Sequence, residues 1–251
     1  MARSARLRNG YNLSGANMNL KNAVALVTGG SAGIGYSIAK TLAESGARVA
    51  ITGRDKGRLE AAAKGLGALG IQADVSKEAD VERTYSEVLA KFGDLDILVN
   101  NAGVGVFKPL VELELARFKA VFDTNVTGAM LMGREAAKIF IKRNRGNIIN
   151  IASTAALRGA ANGTAYYGSK FALRGMTECW RAELRKYNIR VMLVNPSEVL
   201  TNFAATAGFP QKATEGKLRG DEIAHAVKAM LEMDDRGFTV EVAVFATNPA
   251  D

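Results

Sequence analysis

The chain alternates short apolar runs with longer segments that place apolar residues at helical spacing. The runs predicted as strands are Val24–Thr28, Arg48–Thr52, Ile71–Ala73, Asp96–Asn100, Asn147–Ala152, Ile189–Asn195 and Thr239–Phe245. The segments predicted as helices cover roughly residues 34–45, 56–65, 78–92, 114–142, 166–187 and 220–232. Most runs are continuously apolar, as in parallel strands covered on both faces. The alternation predicts right-handed βαβ units and an α/β fold with a doubly wound, mostly parallel, seven-stranded sheet and helices on both faces.

The chain shows one long uniform region and a distinct start. Residues 18–251 contain no internal repeat, low-complexity tract or linker, so we predict one domain there. Residues 1–17 are polar and lack the apolar segment of a secretory signal. We expect a disordered extension, or a start codon placed too early with Met18 as the natural initiator. No stretch approaches the ~18–20 apolar residues of a membrane helix, and the single cysteine, Cys179, fits a cytoplasmic location.

Composition and charge exclude several classes of protein. Hydrophobic residues make up 48% and charged residues 23% of the chain, which is ordinary for a globular protein. The net charge is +8, but most basic residues are scattered among acidic ones, so we expect no nucleic-acid partner. The single histidine, His225, argues against a histidine-based metal site and against a serine–histidine triad. We therefore expect no metal.

The turn after the first predicted strand has the composition of a phosphate-binding loop. It reads TGGSAGIG and places Gly29, Gly33 and Gly35 between a strand and a helix. Glycine permits a tight turn and lets backbone N–H groups approach a pyrophosphate, and the N-terminus of the next helix favours negative charge. Plain turn chemistry also explains a glycine-rich turn, so the strand–helix context carries this prediction.

The end of the second predicted strand bears on the choice between NAD and NADP. A dinucleotide fold that prefers NAD has a carboxylate there for the ribose 2′-hydroxyl, whereas this chain has Gly53 followed by Arg54. A guanidinium suits a 2′-phosphate through paired, charge-assisted hydrogen bonds. Asp55, about twenty residues past Gly35, is the alternative as a ribose-binding acid. We favour NADP(H), with NAD(H) as the alternative cofactor.

Small or polar residues also follow the remaining predicted strands. Asp74 follows the third strand and can accept a hydrogen bond from an adenine amino group, and the fourth strand leads into NNAG at residues 100–103. Ser153 follows the fifth strand and Pro196 the sixth. Each one alone is also explained as the cap of a buried strand. Their recurrence at one edge of the sheet indicates a ligand site.

With these residues assembled, the sequence resembles the short-chain dehydrogenase/reductase family from about Leu20 to the C-terminus. The resemblance rests on the TGGSAGIG turn, the NNAG segment, Asn125, Ser153, and Tyr166-x-x-x-Lys170 thirteen residues after the serine. The joint occurrence of these motifs is specific, whereas a YxxxK pattern alone carries little weight. The resemblance implies a Rossmann-type fold that transfers a hydride between a nicotinamide and a carbonyl or secondary alcohol.

The resemblance also implies a role for each residue of the expected catalytic group. Tyr166 would give its proton to the carbonyl oxygen during reduction, and Ser153 would orient that oxygen. Lys170 would bind the nicotinamide ribose and lower the pKa of the tyrosine, and Asn125 would hold a water that links Lys170 to solvent. An unperturbed tyrosine has a pKa of about 10, so a nearby cation is what this chemistry needs near neutral pH.

The resemblance further implies cofactor contacts along the whole edge of the sheet. Besides Tyr166 and Lys170, they come from Gly29, Ser31, Gly33, Ile34, Gly35, Arg54, Asp74, Val75, Asn101, Ala102, Gly103, Pro196, Val199 and Thr201. One departure lies after the sixth strand, where the family usually has Pro-Gly and this chain has Pro196–Ser197. If residue 197 needs a positive φ, serine costs stability there or shifts the loop against the nicotinamide.

Two adjacent tyrosines raise the question of which one donates the proton. Tyr166 and Tyr167 lie four and three residues before Lys170, so helix geometry permits either. The separation from Ser153 and the Y-x-x-x-K pattern favour Tyr166. Because adjacent helical residues point about 100° apart, we expect Tyr167 to face a packing contact.

The sequence indicates the type of reaction more clearly than it indicates the substrate. Within the family the chain looks most like bacterial 3-oxoacyl-(acyl-carrier-protein) reductases, on the stretch IASTAALRGAANGTAYYGSKFAL and the ending FATNP. The expected substrate is therefore an acyl thioester of fatty acid metabolism. An enzyme acting on another small ketone, sugar or alcohol is the alternative. A non-catalytic dinucleotide-binding sensor is less favoured, because such proteins usually lose the tyrosine or the lysine.

Two further expectations concern the surroundings of the site. Residues 202–220 show little periodicity and are predicted as a mobile lid, with Phe107, Phe203 and Phe209 either lining an apolar pocket or packing the lid. The family commonly pairs its two long helices, here near residues 114–142 and 166–187, so we expect a homodimer or homotetramer.

Overall fold

A computed structural model describes residues 19–208 and 216–248. The expected extension at residues 1–17 and the aromatic side chain of Phe209 therefore lie outside the described residues. The strands are β1 (Val24–Val27), β2 (Arg48–Gly53), β3 (Leu69–Gln72), β4 (Ile97–Asn100), β5 (Gly146–Ile151), β6 (Ile189–Pro196) and β7 (Glu241–Val244). The α-helices are α1 (Gly33–Glu44), α2 (Lys56–Leu66), α3 (Glu78–Phe92), α4 (Leu115–Phe122), α5 (Ala129–Arg143), α6 (Thr164–Leu184), α7 (Phe203–Ala207) and α8 (Gly220–Leu231).

The strands form one sheet in the order β3-β2-β1-β4-β5-β6-β7, and every neighbouring pair is parallel. The strand order reverses between β1 and β4, because the chain winds outward from β1 in one direction and then from β4 in the other. In such sheets a ligand crevice opens at the carboxyl ends of the strands beside this reversal. The predicted fold is confirmed, and the described sheet is wholly parallel.

Helices cover both faces of the sheet. On one face α1 and α8 bury apolar residues such as Ile38 and Val227 against the strands, and α2 packs beside them. On the other face α3 and α5 bury Val88 and Phe140. Because both faces are covered, β1 is apolar and buried at all of its positions. Among the helices of the described ranges, none has the length and apolar character needed to cross a bilayer.

The long helix expected near residues 114–142 contains a π-helical turn. Helix α4 ends at Phe122, α5 begins at Ala129, and the residues Asp123–Gly128 between them have π geometry. The prediction missed this turn because one inserted residue hardly disturbs the apolar periodicity. Single π turns often lie at functional sites, and this one carries Asn125, which is only 1% exposed.

The segment predicted as an irregular lid is more ordered than expected in its described part. It contains the short helix α7, whose first N–H group, that of Phe203, donates to Thr201 Oγ1 at 3.2 Å. It also contains a parallel β-bridge between Val199 and Leu218. The sequence did not show these features, because a helix of five residues is too short to display a helical period.

The amino ends of the strands are held together at the edge of the sheet opposite the crevice. Asp96 accepts a hydrogen bond from Val24 N at 2.9 Å and one from Arg143 at 3.0 Å. Arg190, near the start of β6, is 6% exposed and donates to the Leu231 carbonyl oxygen at 2.9 Å. These partially buried charges stabilise the strand order without taking part in the crevice.

Candidate active site

A cleft runs along the carboxyl ends of the strands. One part is lined by residues that follow β1 to β4, and the adjoining part reaches the segments that follow β5 and β6. The two parts meet at Gly29, Arg58, Ala102 and Gly103. Every residue predicted to bind cofactor or to act in catalysis lines this cleft, except Gly35 and Asn125.

The glycine turn is locked to the segment that follows β4. The side-chain amide of Asn101 donates to the carbonyl oxygens of Thr28 at 2.9 Å and Gly29 at 3.2 Å. A Cβ atom at Gly35 would lie 2.3 Å from the same amide nitrogen, so only glycine fits there. The Thr28 hydroxyl accepts the N–H groups of Asn101 and Ala102, both at 3.0 Å. Asn101 therefore shapes the turn, and Thr28 is a bracing residue that the sequence analysis missed.

The start of α1 fits an anionic group. Gly33 begins the helix with a φ of 55°, a conformation that favours glycine. No described side chain caps this N-terminus, and the first turn carries no acidic residue. The first N–H groups of α1 are therefore available to a phosphate, with the helix dipole favouring negative charge. The turn and the helix start together form the cradle that a dinucleotide pyrophosphate needs.

The end of β2 has glycine where a ribose-binding carboxylate would stand, and a guanidinium follows it. A Cβ atom at Gly53 would lie 3.0 Å from Ser31 Oγ, so a carboxylate side chain there would crowd the serine. The exposed Arg54 lines the cleft, and its guanidinium has no ion-pair partner among the described residues. Asp55 also lines the cleft, and it caps α2 by accepting the Arg58 N–H at 2.9 Å. This role accounts for Asp55 without a ribose.

Arg58 is a second guanidinium at the cleft that the sequence analysis missed. It lines both parts of the cleft and lies 4.0 Å from the exposed carboxylate of Asp55. Its spacing of four residues from Arg54, in the first turn of α2, was the available signal. The direction in which α2 leaves the sheet decides whether such a residue faces the cleft, and the sequence alone does not give that direction.

Asp74 and Val75 close the far end of the first part of the cleft. Asp74 Oδ1 accepts two hydrogen bonds from Ser76, at 3.0 Å from the backbone and 2.8 Å from the hydroxyl. Asp74 Oδ2 has no hydrogen-bond partner within the described ranges, so it can accept one from an adenine amino group. Val75 is buried against the π turn, where a Cβ atom at Gly128 would lie 2.7 Å from its Cγ2.

Tyr166 lies at the centre of the second part of the cleft and forms a hydrogen bond with Ser153. Burial raises the pKa of Tyr166 to about 12, although the Ser153 hydrogen bond lowers it. Ser153 follows β5 in extended backbone, and its Oγ also accepts the Ala155 N–H at 3.1 Å, which orients the hydroxyl. The direction of the pKa shift is opposite to the predicted one.

The reason for this difference is the burial of Tyr166 itself, and next to it lies a lysine that is also buried, Lys170. Its side chain is 5% exposed, and its ammonium donates to the Ile151 carbonyl oxygen at 3.0 Å. Burial lowers the pKa of Lys170 to about 8, because the charged form loses its hydration. The lysine therefore holds its proton more weakly than an exposed one, and no pattern in the sequence indicates this.

Asn125 joins the loop after β4 to helix α6. Its Oδ1 accepts the Val104 N–H at 2.8 Å, and its Nδ2 donates to the Val104 carbonyl oxygen and the Ser169 hydroxyl, both at 2.9 Å. Ser169 in turn donates to the Tyr166 carbonyl oxygen at 2.7 Å. Both amide N–H groups thus have protein partners, so the Asn125 side chain braces helix α6. The implied water relay stays a prediction.

Tyr167 packs against neighbouring rings and does not line the cleft. Its ring meets those of Tyr166 and Phe107 edge-on, at centroid distances of 6.1 Å and 6.5 Å. A Cβ atom at Gly163 would lie 2.2 Å from the Tyr167 ring, so this ring packs on the backbone that precedes α6. The described contacts agree with the expected packing role.

The segment after β6 tolerates serine at position 197. Ser197 is not among the described residues with positive φ, and its N–H donates to the Val244 carbonyl oxygen at 2.9 Å. Serine at position 197 therefore does not carry the stability cost that a positive φ would impose. Thr201 lies against the glycine turn, because a Cβ atom at Gly33 would lie 3.2 Å from its methyl group. Pro196 and Val199 line the cleft between these two points.

The fold and this site together define an oxidoreductase that uses a nicotinamide nucleotide. The chain belongs to the short chain dehydrogenase family, whose profile matches residues 23–211. Enzymes of this family act on alcohol and carbonyl groups, and so does this NAD(P)-dependent oxidoreductase. This membership confirms the resemblance stated from the sequence.

Three known proteins illustrate the similarity. The (+)-borneol dehydrogenase 2 of Salvia officinalis is 40% identical over 193 residues, which span 74% of this chain and 68% of that protein. The 3-ketoacyl-(acyl-carrier-protein) reductase of Brucella melitensis, solved with NADH, superposes with a TM-score of 0.85 at 33% identity, covering 91% of this chain and 98% of that one. The alcohol dehydrogenase of Thermococcus sibiricus, solved with 5-hydroxy-NADP, gives a TM-score of 0.83 at 30% identity and coverage of 92% and 100%.

Proposed function

We propose that this enzyme is an NADP(H)-dependent ketone reductase that also oxidises secondary alcohols, with Tyr166 as the proton donor. One observation carries the proposal: Ser153, Tyr166 and Lys170 converge in the second part of the cleft, while Arg54 and Arg58 stand together in the first part. A dinucleotide lying along the glycine turn would span the two groups.

The chain's own residues supply everything except the hydride, which a bound reduced nicotinamide supplies. Ser153 donates a hydrogen bond to the substrate carbonyl oxygen and holds it beside the Tyr166 hydroxyl. As the carbonyl carbon gains its new C–H bond, the oxygen takes the phenolic proton, and an alcohol and a phenolate result. The Lys170 ammonium stabilises that phenolate electrostatically from within the same buried site.

The preference for NADP(H) is supported by charge at the end of β2. A ribose 2′-phosphate carries negative charge, and two guanidinium groups line the cleft where a ribose-binding carboxylate would stand in an NAD-preferring site. The carboxylate nearest to them, Asp55, is used as a helix cap. The Thermococcus sibiricus enzyme, solved with 5-hydroxy-NADP, is similar in structure.

Two substrate classes have support. The similarity to the Brucella melitensis reductase and the sequence around Tyr166 support a 3-oxoacyl thioester of an acyl-carrier protein, with a place in fatty acid metabolism. The second candidate is a small apolar ketone or secondary alcohol. It is favoured by the identity with (+)-borneol dehydrogenase 2 and by two phenylalanine rings that contact Tyr166.

The decisive experiment is a substrate screen on the purified full-length protein. NADPH and NADH oxidation should be followed with acetoacetyl thioesters, acyclic ketones, cyclic ketones and keto sugars, with Tyr166→Phe as the control for each activity. We expect ketone-dependent oxidation of NADPH that Tyr166→Phe abolishes. A wild-type protein that binds NADPH but reduces no carbonyl compound would point instead to a dinucleotide sensor.

We also propose a homodimer or homotetramer in the cytoplasm. Large apolar side chains stand exposed on several elements, including Phe171 on α6 at 44% and Leu115 on α4 at 67%. These positions lie on the two helices that relatives are expected to pair. Light scattering with size-exclusion chromatography should give an oligomer mass for the wild type and a smaller mass for Phe171→Glu. A monomeric wild type would overturn this proposal.

A further inference from the structure

The ring of Tyr166 is flanked by two phenylalanines from separate segments of the chain. The Phe107 ring lies 5.3 Å away, centroid to centroid, at an interplanar angle of 47°, and the Phe203 ring lies 5.3 Å away at 50°. Both distances lie in the range that aromatic pairs favour. Phe107 belongs to the loop after β4 and Phe203 begins α7, so the two rings reach Tyr166 from separate parts of the chain.

The positions of the two rings are fixed by the backbone around Gly105. A Cβ atom there would lie 2.6 Å from Phe203 Cζ and 3.1 Å from Phe107 Cε2. Both rings therefore lie on the same glycine, which has no side chain to keep them away from Tyr166. The loop that carries Phe107 is tied down next to it, because Lys108 N donates to the Asn162 carbonyl oxygen at 2.8 Å.

The surroundings of the Tyr166 hydroxyl are poor in charge. The second part of the cleft is lined by two charged side chains among the described residues, Arg58 and Lys170. Arg58 also borders the first part of the cleft, and Lys170 is bonded to the Ile151 carbonyl oxygen. Phe203 lines this part of the cleft and the Phe107 ring lies against Tyr166, so groups attached to a substrate carbonyl carbon can lie beside phenyl rings, which offer dispersion contact and no hydrogen bond.

From this arrangement we propose that Phe107 and Phe203 form an aromatic clamp that selects ketones and secondary alcohols bearing a compact apolar ring at the reacting carbon. The inference rests on the proposed ketone reductase function and gives its substrate class. An extended thioester arm carries amide groups that two phenyl rings cannot hydrogen-bond, so such substrates gain less from the clamp.

The test compares two probes, 4-tert-butylcyclohexanone and acetoacetyl-N-acetylcysteamine, in kcat/KM with NADPH. Phe107→Ala and Phe203→Ala should each lower kcat/KM for the cyclic ketone at least tenfold, mainly through KM, and change the thioester less than threefold. Phe203→Leu, which keeps apolar bulk, should restore most of the loss. Phe118→Ala removes a ring that stacks on Phe122 and, among the described residues, makes no ring contact with Tyr166, so it should leave the ratio of the two activities unchanged.

A second variant changes the position of a clamp ring without truncating it. Gly105→Ala places a methyl group against Phe203, and because φ at Gly105 is not positive, the backbone accepts alanine. It should reproduce the selective loss of Phe203→Ala. Equal losses on both probes, or a wild type that prefers the thioester more than tenfold, would overturn the clamp while leaving the reductase function intact. Absence of any Tyr166-dependent ketone reduction would overturn the reductase function itself.

Discussion

The ammonium nitrogen of Lys170 lies 5.7 Å from the centroid of the Tyr166 ring, in the interior of the site. At this separation the two groups influence one another's proton affinity through the local electric field. Burial holds the pKa of Lys170 at about 8 and that of Tyr166 at about 12, so the pair loses its first proton near pH 8. Above that pH the pair has one proton left, and a constant fraction of the molecules has this proton on Lys170 and a phenolate at Tyr166.

Replacing Lys170 should therefore change the pH dependence of alcohol oxidation, in which Tyr166 must accept a proton. In the wild type the rate should level off above about pH 8, where the pair has lost one proton. In Lys170→Met no ammonium supports the phenolate, so the rate should keep rising towards the tyrosine pKa of about 12. Steady-state pH–rate profiles with saturating alcohol check this. The same plateau near pH 8 in a folded mutant would show that the lysine does not govern the tyrosine.

The same lysine predicts how the stability of the cofactor-free protein depends on pH. Its folded-state pKa of about 8 lies below its unfolded value of 10.5, so the unfolded chain binds more protons between these values. The free energy of unfolding of the wild type should thus rise relative to Lys170→Met as the pH goes from about 8 to 10, by up to about 3 kcal/mol. Urea unfolding of both proteins at pH 7.5 and 10 gives the comparison, and parallel curves would contradict the burial of a charge.

Exchanging one tyrosine hydroxyl at a time separates the donor from its neighbour. Tyr166→Phe removes the proton donor and should lower kcat by ~10²–10⁴-fold while leaving NADPH binding largely intact. Tyr167→Phe should leave kcat within a small factor and change stability by at most about 1 kcal/mol, because no described hydrogen bond uses its hydroxyl. Turnover rates and NADPH fluorescence titrations report both effects. The reverse pattern would assign the chemistry to Tyr167.

Removing either guanidinium at the end of β2 should weaken the binding of NADPH more than the binding of NADH. A charge-assisted contact contributes ~1.5–3 kcal/mol, so Arg54→Ala and Arg58→Ala should each raise the KM for NADPH by at least tenfold. The KM for NADH should change little. Lys56→Ala is the matched control, because Lys56 is 71% exposed, pairs with Glu60 and does not line the cleft. A similar rise in KM for NADH and NADPH would show that the arginines do not bind the 2′-phosphate.

Restoring the usual glycine after Pro196 should not stabilise this chain. Because φ at Ser197 is not positive, Ser197→Gly only adds freedom to the unfolded state and should cost about 0.5–1 kcal/mol. Asn188 has a φ of 54°, so Asn188→Gly is the matched control and should be neutral or stabilising. Thermal unfolding of the two variants decides the point. A stabilising Ser197→Gly would mean that the loop is strained by serine.

The features that the sequence predicted well are those encoded locally. The glycine turn, the strand ends and the spacing of Tyr166 and Lys170 each depend on neighbouring residues, and the structure places them along one cleft. The features it missed depend on contacts between distant segments. The Thr28 hydroxyl receives N–H groups from more than seventy residues away, and Arg58 reaches the cleft only through the direction of α2.

The pKa of Tyr166 shows the same limit in electrostatics. The sequence supplies a cation four residues away, which alone would lower that pKa. Only the packed structure shows that both groups are buried and that the ammonium is bonded to the Ile151 carbonyl oxygen. Desolvation, which depends on the whole fold, then determines the sign of the shift.

The two edges of the sheet hold different kinds of interaction, and this separation makes the chain suitable for changing its specificity. Asp96 and Arg190 secure the strands at the amino edge, whereas Phe107 and Phe203 stand at the carboxyl edge in segments that the sheet does not need for its order. Random libraries confined to positions such as 107 and 203 should therefore yield a high fraction of folded variants. Libraries of equal size at positions 96 and 190 should yield mostly unfolded ones, so new substrates are more readily reached by evolution than new stability.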